Sequence, residues 1–405
     1  MARFGDALAT GVDLVSAAER AVLSALEPLD GRADLVCFFV SGNDPEEVVL
    51  AGERVMALAG DAATLGCSST GVIGGGRGVE EQGAVSVWAA SLPGASLTPF
   101  RLDAIPEGDH VTVVGMDEPA PDDTVALLLA DPYEFPAQSF MRRSTDVLGG
   151  LPIVGGLADG PHGRESVRLF SQGKAVDSGA VGLLLGGESV VGTVISQGCR
   201  PIGPSMVVTK VDGSSVLELA GTSAYGKLED ILNALPPEEQ DLAANGLHIG
   251  VAMDEYADRH DRGDFLIRAV AGADAEAGTL AFSEAVEVGQ TVRFQVRDQA
   301  SADADLLDRL GAFAEDSGER VTAALLFSCN GRGSAMFASA DHDVRCVREV
   351  LGIGPVSGFF GAGEIGPVAG RNHVHAFTAC VLAFGDAPAA SASPDAGSGV
   401  ADTPG

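Results

Sequence analysis

The sequence predicts an α/β protein of the mixed α+β kind, in which duplicated strand-helix-strand units form packed mixed sheets. Three observations carry that reading. The hydrophobic period switches repeatedly between about 2 and about 3.6, and the apolar strand candidates outnumber the helical stretches. One Gly-rich pattern also occurs twice without a gap: Gly66-x-x-x-x-Gly71-x-Ile73-Gly74 returns as Gly358-x-x-x-x-Gly363-x-Ile365-Gly366.

The elements follow in order. Leu14, Val15, Ala18, Val22, Leu23 and Leu26 recur at helical spacing, so residues 1–31 read as an N-terminal helix. The first unit has a strand at 35–40, a helix at 45–58, a short strand ending at Gly66, a Gly-rich loop and a strand at 84–91. The same order returns near the C-terminus, with strand 323–328, helix 341–351, short strand 355–358 and strand 376–384. A looser third unit lies between them, with strand 124–130, helix 137–148, short strand 152–155 and strand 179–185. A hinge is expected at 203–215, dividing residues 32–214 from 215–385. Residues 386–405 consist almost wholly of Ala, Ser, Gly, Pro and Asp and read as a disordered tail, since they offer too little apolar surface to offset ordering entropy.

Charge narrows the function. The chain has 405 residues, with 25 Lys plus Arg against 57 Asp plus Glu, a formal net charge of −32. Nucleic acid is held by clustered cations that displace counterions, so nucleic-acid binding is not expected, and an anionic membrane surface repels the chain. Residues 1–20 lack a basic start followed by an apolar core, and no charge-free apolar stretch reaches the roughly 18 residues of a bilayer span. A cytoplasmic protein is expected. The six cysteines (Cys37, Cys67, Cys199, Cys329, Cys346 and Cys380) are too scattered for a disulfide scaffold or a Cys-x-x-Cys metal knuckle, and read as reduced thiols.

Several motifs fail on context. Gly361-Ala362-Gly363-Glu364-Ile365-Gly366 spells a dinucleotide fingerprint, but Pro367 follows and no helix supplies a pyrophosphate site. Gly221 to Lys227 resembles a phosphate loop until Leu228, where a hydroxyl is needed to hold magnesium. The 66–71 loop is one residue too long for a nucleophile elbow. His373-x-His375 lacks a third ligand nearby in sequence, so no metal site is read there. No nucleophile, base and orienting group gather in one motif, so no catalytic activity is expected.

Three clusters remain. Phe327-Ser328-Cys329-Asn330-Gly331-Arg332-Gly333 runs from an apolar strand into a polar Gly-x-Gly turn, the kind of strand end where sheet proteins place ligands. Arg332 there is able to clamp a carboxylate or to activate Cys329, which reads as the most reactive thiol, with Cys67 as its rival. Glu364 is a carboxylate in an otherwise apolar loop and needs a partner. Gln197-Gly198-Cys199-Arg200-Pro201-Ile202-Gly203 is a third polar turn after a strand.

At these residues the chain resembles the FIST family, whose members carry paired FIST N-terminal and FIST C-terminal domains. Gly66-Cys67-Ser68-Ser69-Thr70-Gly71 is similar to the N-domain glycine and cysteine loop, and residues 196–203 to the junction motif. Residues 327–333 and 358–366 are similar to the two C-domain motifs. The resemblance implies two FIST domains, at 32–214 and 215–385, and a sensory module that binds a small molecule such as an amino acid and signals through a separate protein. The residues expected to bind the ligand are Cys329, Asn330, Arg332, Glu364, Gln197, Arg200 and Cys67, with Arg332 and Glu364 facing the carboxylate and ammonium of a zwitterion. No cofactor is expected. The alternatives that the family leaves open are a haem-based nitric oxide sensor and a protein-recruiting scaffold.

Overall fold

A computed structural model describes residues 1–386 except 109, 256, 258–259 and 261–262. The chain builds three repeats. The first comprises β1 (Arg3–Thr10), α1 (Leu14–Leu26), β2 (Leu35–Ser41), α2 (Pro45–Ala59), β3 (Ala63–Ser68), the hairpin β4 (Gly71–Gly74) and β5 (Arg77–Glu80), and β6 (Ala84–Ser91). Asp13 and Asp44 start its helices by accepting the backbone N–H groups of Ser16 and Glu46, and Pro45 opens α2 where its missing N–H costs nothing. Residues 3–10 are therefore not part of an N-terminal helix. They pair along the whole length of β6, from Arg3 opposite Ser91 to Thr10 opposite Ala84, and so cover an edge that would otherwise expose its amides.

The second repeat comprises β7 (Ser96–Glu107), β8 (His110–Val114), β9 (Asp123–Ala130), α3 (Ala137–Val147), β10 (Ile153–Leu157), the hairpin β11 (Leu169–Ser171) and β12 (Lys174–Val176), and β13 (Ala180–Gly186). The third begins with β14 (Val190–Gln197) and is then interrupted by an insert. The insert contains β15 (Cys199–Pro201), β16 (Met206–Asp212), β17 (Ser215–Leu219), β18 (Thr222–Ser223), α4 (Ala224–Ala234), α5 (Pro237–Gly246), β19 (Leu247–Ala252), β20 (Phe265–Asp274), β21 (Thr279–Phe282) and β22 (Thr291–Arg297). The repeat resumes with α6 (Gln299–Ser317), β23 (Val321–Cys329), α7 (Gly333–Phe337), α8 (His342–Leu351), β24 (Val356–Gly361), the hairpin β25 (Gly363–Val368) and β26 (Arg371–His375), and β27 (Thr378–Gly385).

In each repeat the helix-linked strand pair is parallel (β2 with β3, β9 with β10, β23 with β24), and the last strand returns antiparallel on the other side. The central strands β2 and β23 are buried except at Thr322, as strands covered on both faces must be. The hairpins do not stay at home. The first repeat's β4 pairs with β24 of the third, the third's β25 with β10 of the second, and the second's β11 with β3 of the first. This cyclic exchange yields the sheets β1-β6-β2-β3-β11-β12, β26-β25-β10-β9-β13-β7-β8 and β14-β27-β23-β24-β4-β5.

The registers identify equivalent residues. Gly66, Gly155 and Gly358 stand beside Phe38, Leu128 and Leu326 on their parallel partners and face Phe170, Ile365 and Ile73 of the exchanged hairpins. At each glycine a Cβ would fall within 3.0 Å of the partner strand's carbonyl oxygen, so only glycine fits this close approach. The three sheets enclose one core that includes Phe39, Trp88, Leu127, Val154, Phe327, Phe359 and Phe384. Helices α1 and α2, α3, and α6 with α8 cover the outer faces.

The insert forms a fourth sheet, β15-β22-β16-β17-β21-β20-β19, with its own core around Val208, Leu219, Phe282 and Phe294. The expected hinge at 203–215 is instead largely strand β16, hydrogen-bonded to β17 and β22, and position 214/215 falls in the tight β16–β17 turn. The division into 32–214 and 215–385 is thus one of sequence; the exchanged hairpins tie the sheets across it. Apart from Asp386, which accepts the Ala2 N–H at 2.8 Å, the expected tail 386–405 lies outside the described residues. No helix among the described residues is long and apolar enough to cross a membrane.

Close strand packing at the equivalent glycines makes a test. Gly358→Ala is expected to cost more than about 3 kcal/mol, the upper range of overpacking. Gly354→Ala, at an exposed position where an added Cβ meets nothing within 4 Å, should stay within about 0.5 kcal/mol of the parent. Denaturant unfolding of the two variants measures both.

Candidate functional site

The parallel strands of the three repeats end together, and their loops bond to one another. The Asp159 N–H donates to Ser68 O at 3.2 Å and the Ala362 N–H to Leu157 O at 3.1 Å, while Ser69 Oγ donates to Phe360 O at 2.5 Å. Asn330 Nδ2 donates to Asp159 Oδ2 at 2.7 Å. Asn330 is therefore engaged in joining two repeats. Cys67 is one residue short of this ring and points into the apolar core, where burial, and then Asp159, push its thiol well up.

The third repeat departs from the symmetry. Register places Glu364 where the other repeats have Val72 and Leu169, so a carboxyl occupies a core position. Glu364 is fully buried; its Oε2 accepts the Thr378 hydroxyl and, at 3.2 Å, the Thr378 N–H. Burial raises its pKa to about 8 against the pull of Thr378 and Arg332, so the carboxyl is mostly protonated at neutral pH.

Arg332 is also fully buried, in the turn that leads into α7. Its Nε and Nη2 donate to Asp343 Oδ2 and Oδ1 at 2.8 and 2.9 Å. Ser328 donates to the same carboxylate at 2.7 Å and His342 Nδ1 lies 2.9 Å from it. Burial works against the charge on Asp343, yet Arg332, His342 and Ser328 hold the carboxyl well below the usual carboxylate range. Among the described residues, Arg332 Nη1 and Glu364 Oε1 have no hydrogen-bond partner.

This geometry revises the expected clamp. Arg332 and Glu364 do interact, but both are sealed from solvent and the guanidinium fork is already filled by Asp343, so no zwitterion can enter between them. Cys329 is buried at the end of β23, and burial, reinforced by Glu364, pushes its thiol far above the ordinary value; the opposing pull of Arg332 is outweighed. Gln197 spends its amide on Phe265 O, at 2.8 Å, and its N–H on Asp305 Oδ2, at 2.9 Å, which fastens the third repeat to the insert and to α6. Arg200 stands apart, 3.6 Å from both Glu239 and Asp298. Of the seven expected residues, Cys329, Arg332 and Glu364 form one cluster, and Asn330 adjoins it, its Oδ1 accepting from Cys329 Sγ at 3.8 Å.

An open cleft of about 350 Å³ lies elsewhere, where the insert sheet faces α3 and β26. At its base Arg268, nine-tenths buried, pairs with Glu284 at 2.7 Å, and Gln138 Nε2 of α3 donates to Glu284 across the cleft at 2.6 Å. Arg142, Arg371 and His373 line the same space. Burial, with Arg268 and Arg371 adding to it, lowers His373 to about 4, so its ring is neutral. Arg142 makes no ion pair among the described residues and acts on the neighbouring Arg268 as a like charge. Arg371 pairs with Asp146 at 3.7 Å and Glu287 also lines the space, so Arg142 is the guanidinium left to suit an anionic group. These residues span positions 138 to 373, and His373-x-His375 was their only visible trace in the sequence.

The family model described as FIST N domain matches residues 34–222, and the one described as FIST C domain matches residues 224–367. Uncharacterized protein Rv0628c of Mycobacterium tuberculosis (strain ATCC 25618 / H37Rv) is 40% identical over 387 residues, covering 95% of this chain and 100% of the relative. Uncharacterized protein Mb0898c of Mycobacterium bovis (strain ATCC BAA-935 / AF2122/97) is 39% identical over 387 residues, covering 95% of this chain and 99% of the relative.

Two outcomes test the buried charges. A carboxyl whose folded pKa is raised contributes stability below its unfolded pKa of about 4.5 and loses it as pH rises through about 8. Glu364→Gln should therefore gain stability over the parent progressively between pH 5 and pH 9, read as the difference in Tm. Asp343→Ala leaves Arg332 buried without a counter-charge and is expected to cost about 3–5 kcal/mol in denaturant unfolding.

Proposed function

The chain belongs to the FIST family, and from that membership we propose that it is a non-catalytic sensory protein which binds a small anionic or zwitterionic metabolite, such as an amino acid, and signals through a separate protein. FIST domains are associated with signal transduction and ligand sensing. The observation that supports the ligand class is the Arg268–Glu284 pair at the base of the cleft, flanked by Arg142 and Arg371 in a chain whose net charge is −32. Arg142, exposed and without an ion pair among the described residues, runs against the charge of the whole molecule and favours a carboxylate.

The cleft also suggests how binding is transmitted. Its walls come from α3 of the N-terminal half and from the insert sheet and β26 of the C-terminal half, so a ligand that bridges Arg142 and Arg268 adds to the Gln138–Glu284 contact between the two. Six unpaired cysteines fit a reducing compartment, the cytoplasm. Haem has less support: the rings of His248 and His375 are buried, each with a nitrogen engaged by a backbone carbonyl, Gly246 O and Gly366 O.

A panel of amino acids and small carboxylates at millimolar concentration tests the reading by thermal shift. A ligand at about 100 times its Kd should stabilise the fold by about 2.7 kcal/mol. Arg142→Glu and Arg371→Glu change exposed side chains, so the fold should persist while the shift is lost. No shift with any member, or a shift that survives both variants, overturns the proposal.

A further inference from the structure

A second cluster on the outer face of the third sheet has the composition of a metal site. His342 and Cys346 stand one turn apart on α8, and α6 brings Asp303 against them. His342 Nε2 lies 2.8 Å from Asp303 Oδ1 and 3.9 Å from Cys346 Sγ, and the three ligand atoms all lie within 4.8 Å of one another. From these placements we propose that Asp303, His342 and Cys346 bind a transition-metal ion of the zinc class, with one coordination position left open.

The dimensions fit. Zinc bonds of about 2.0–2.1 Å to N and O and 2.3 Å to S require a tetrahedral N···O edge of about 3.3 Å and an N···S edge of about 3.6 Å. Against the observed separations, Asp303 has to retreat by about half an ångström and swing toward Cys346, while Cys346 closes by a few tenths. The Asp303 side chain is 46% exposed, so it is free to make that movement and the ion has a route from solvent.

The surroundings orient the imidazole for this task. Asp343 Oδ1 engages His342 Nδ1, which turns Nε2 toward Asp303 and Cys346, the carboxylate–histidine arrangement that supports metal-ligating histidines. Asp343 is itself fixed by Arg332 and Ser328, and Phe337 stacks on the imidazole at 3.5 Å with an interplanar angle of 3°. The buried Arg332 thus acts on the site through Asp343, as a positioning residue. One imidazole, one thiolate and one carboxylate select a borderline ion over magnesium or calcium, which take oxygen ligands. Three protein ligands leave the fourth position to water or to a small ligand on the solvent side of Asp303.

Cobalt(II) titration of the chelator-treated full chain tests the site directly. The expected result is a thiolate-to-cobalt charge-transfer band with tetrahedral d–d bands, saturating at one equivalent and bleached by zinc. Cys346→Ser should lose the charge-transfer band, and Asp303→Ala, at a half-exposed position that leaves the core intact, should lose saturation at one equivalent. Cys329→Ser serves as the control that keeps the whole spectrum, and circular dichroism establishes that each variant is folded. Absence of a charge-transfer band in the parent, or a band that persists in folded Cys346→Ser, overturns the proposal.

Discussion

Edge pairing between repeats is the constraint on which the rest of the structure depends. After its parallel strand pair, each repeat leaves a row of unpaired backbone groups on β3, β10 or β24, and a hairpin from another repeat satisfies them. Because the exchange is cyclic, no repeat completes its own sheet. The first lends its hairpin to the third, across more than 280 positions of chain (Phe360 opposite Gly71), and that pairing locks the N-terminal and C-terminal halves together. The shared core around Phe39, Phe327 and Phe359 exists only once all three sheets are in place.

A threefold framework also shows where the chain departs from it. Val72 and Leu169 are apolar because their positions face the common core, so Glu364 at the third such position signals a demand other than packing. The insert interrupts the same repeat, and both the open cleft and the Arg332–Asp343–His342 network involve it or adjoin it. A buried ion pair is a poor source of stability beside a well-packed apolar alternative. Its retention here accords with a positioning role: it holds one imidazole edge-on toward Asp303 and Cys346.

Much of the fold was legible from residues 66–74 and 358–366, because a glycine required by close strand approach cannot be replaced and leaves its spacing in the sequence. The third unit was also visible from its strand and helix pattern, although its Gly155-x-x-x-x-Gly160 is followed by an eight-residue loop that hides the match. Strand β1 was not legible, since residues 3–10 owe their conformation to β6 rather than to their own periodicity. The buried cluster was half legible: Cys329, Arg332 and Glu364 stood out as polar residues in apolar loops, but their being sealed, and Arg332 being filled by Asp343, did not show. His342-x-x-x-Cys346 carries no signal in the sequence because its third partner, Asp303, lies 39 positions upstream.

The sequence by itself determined the local elements, the repetition of strand, helix and strand, and the places where polar side chains interrupt apolar runs. Those properties reside in windows of a few residues, where side-chain period and backbone sterics act directly. Only the tertiary structure decided which hairpin closes which edge, that Arg332 meets a carboxylate inside the protein instead of a ligand outside it, and that Gln138, Arg142, Arg268, Glu284, Arg371 and His373 share one cleft. Each of these is a meeting of residues far apart in the chain. Their proximity depends on the path of every intervening element, which no short window encodes.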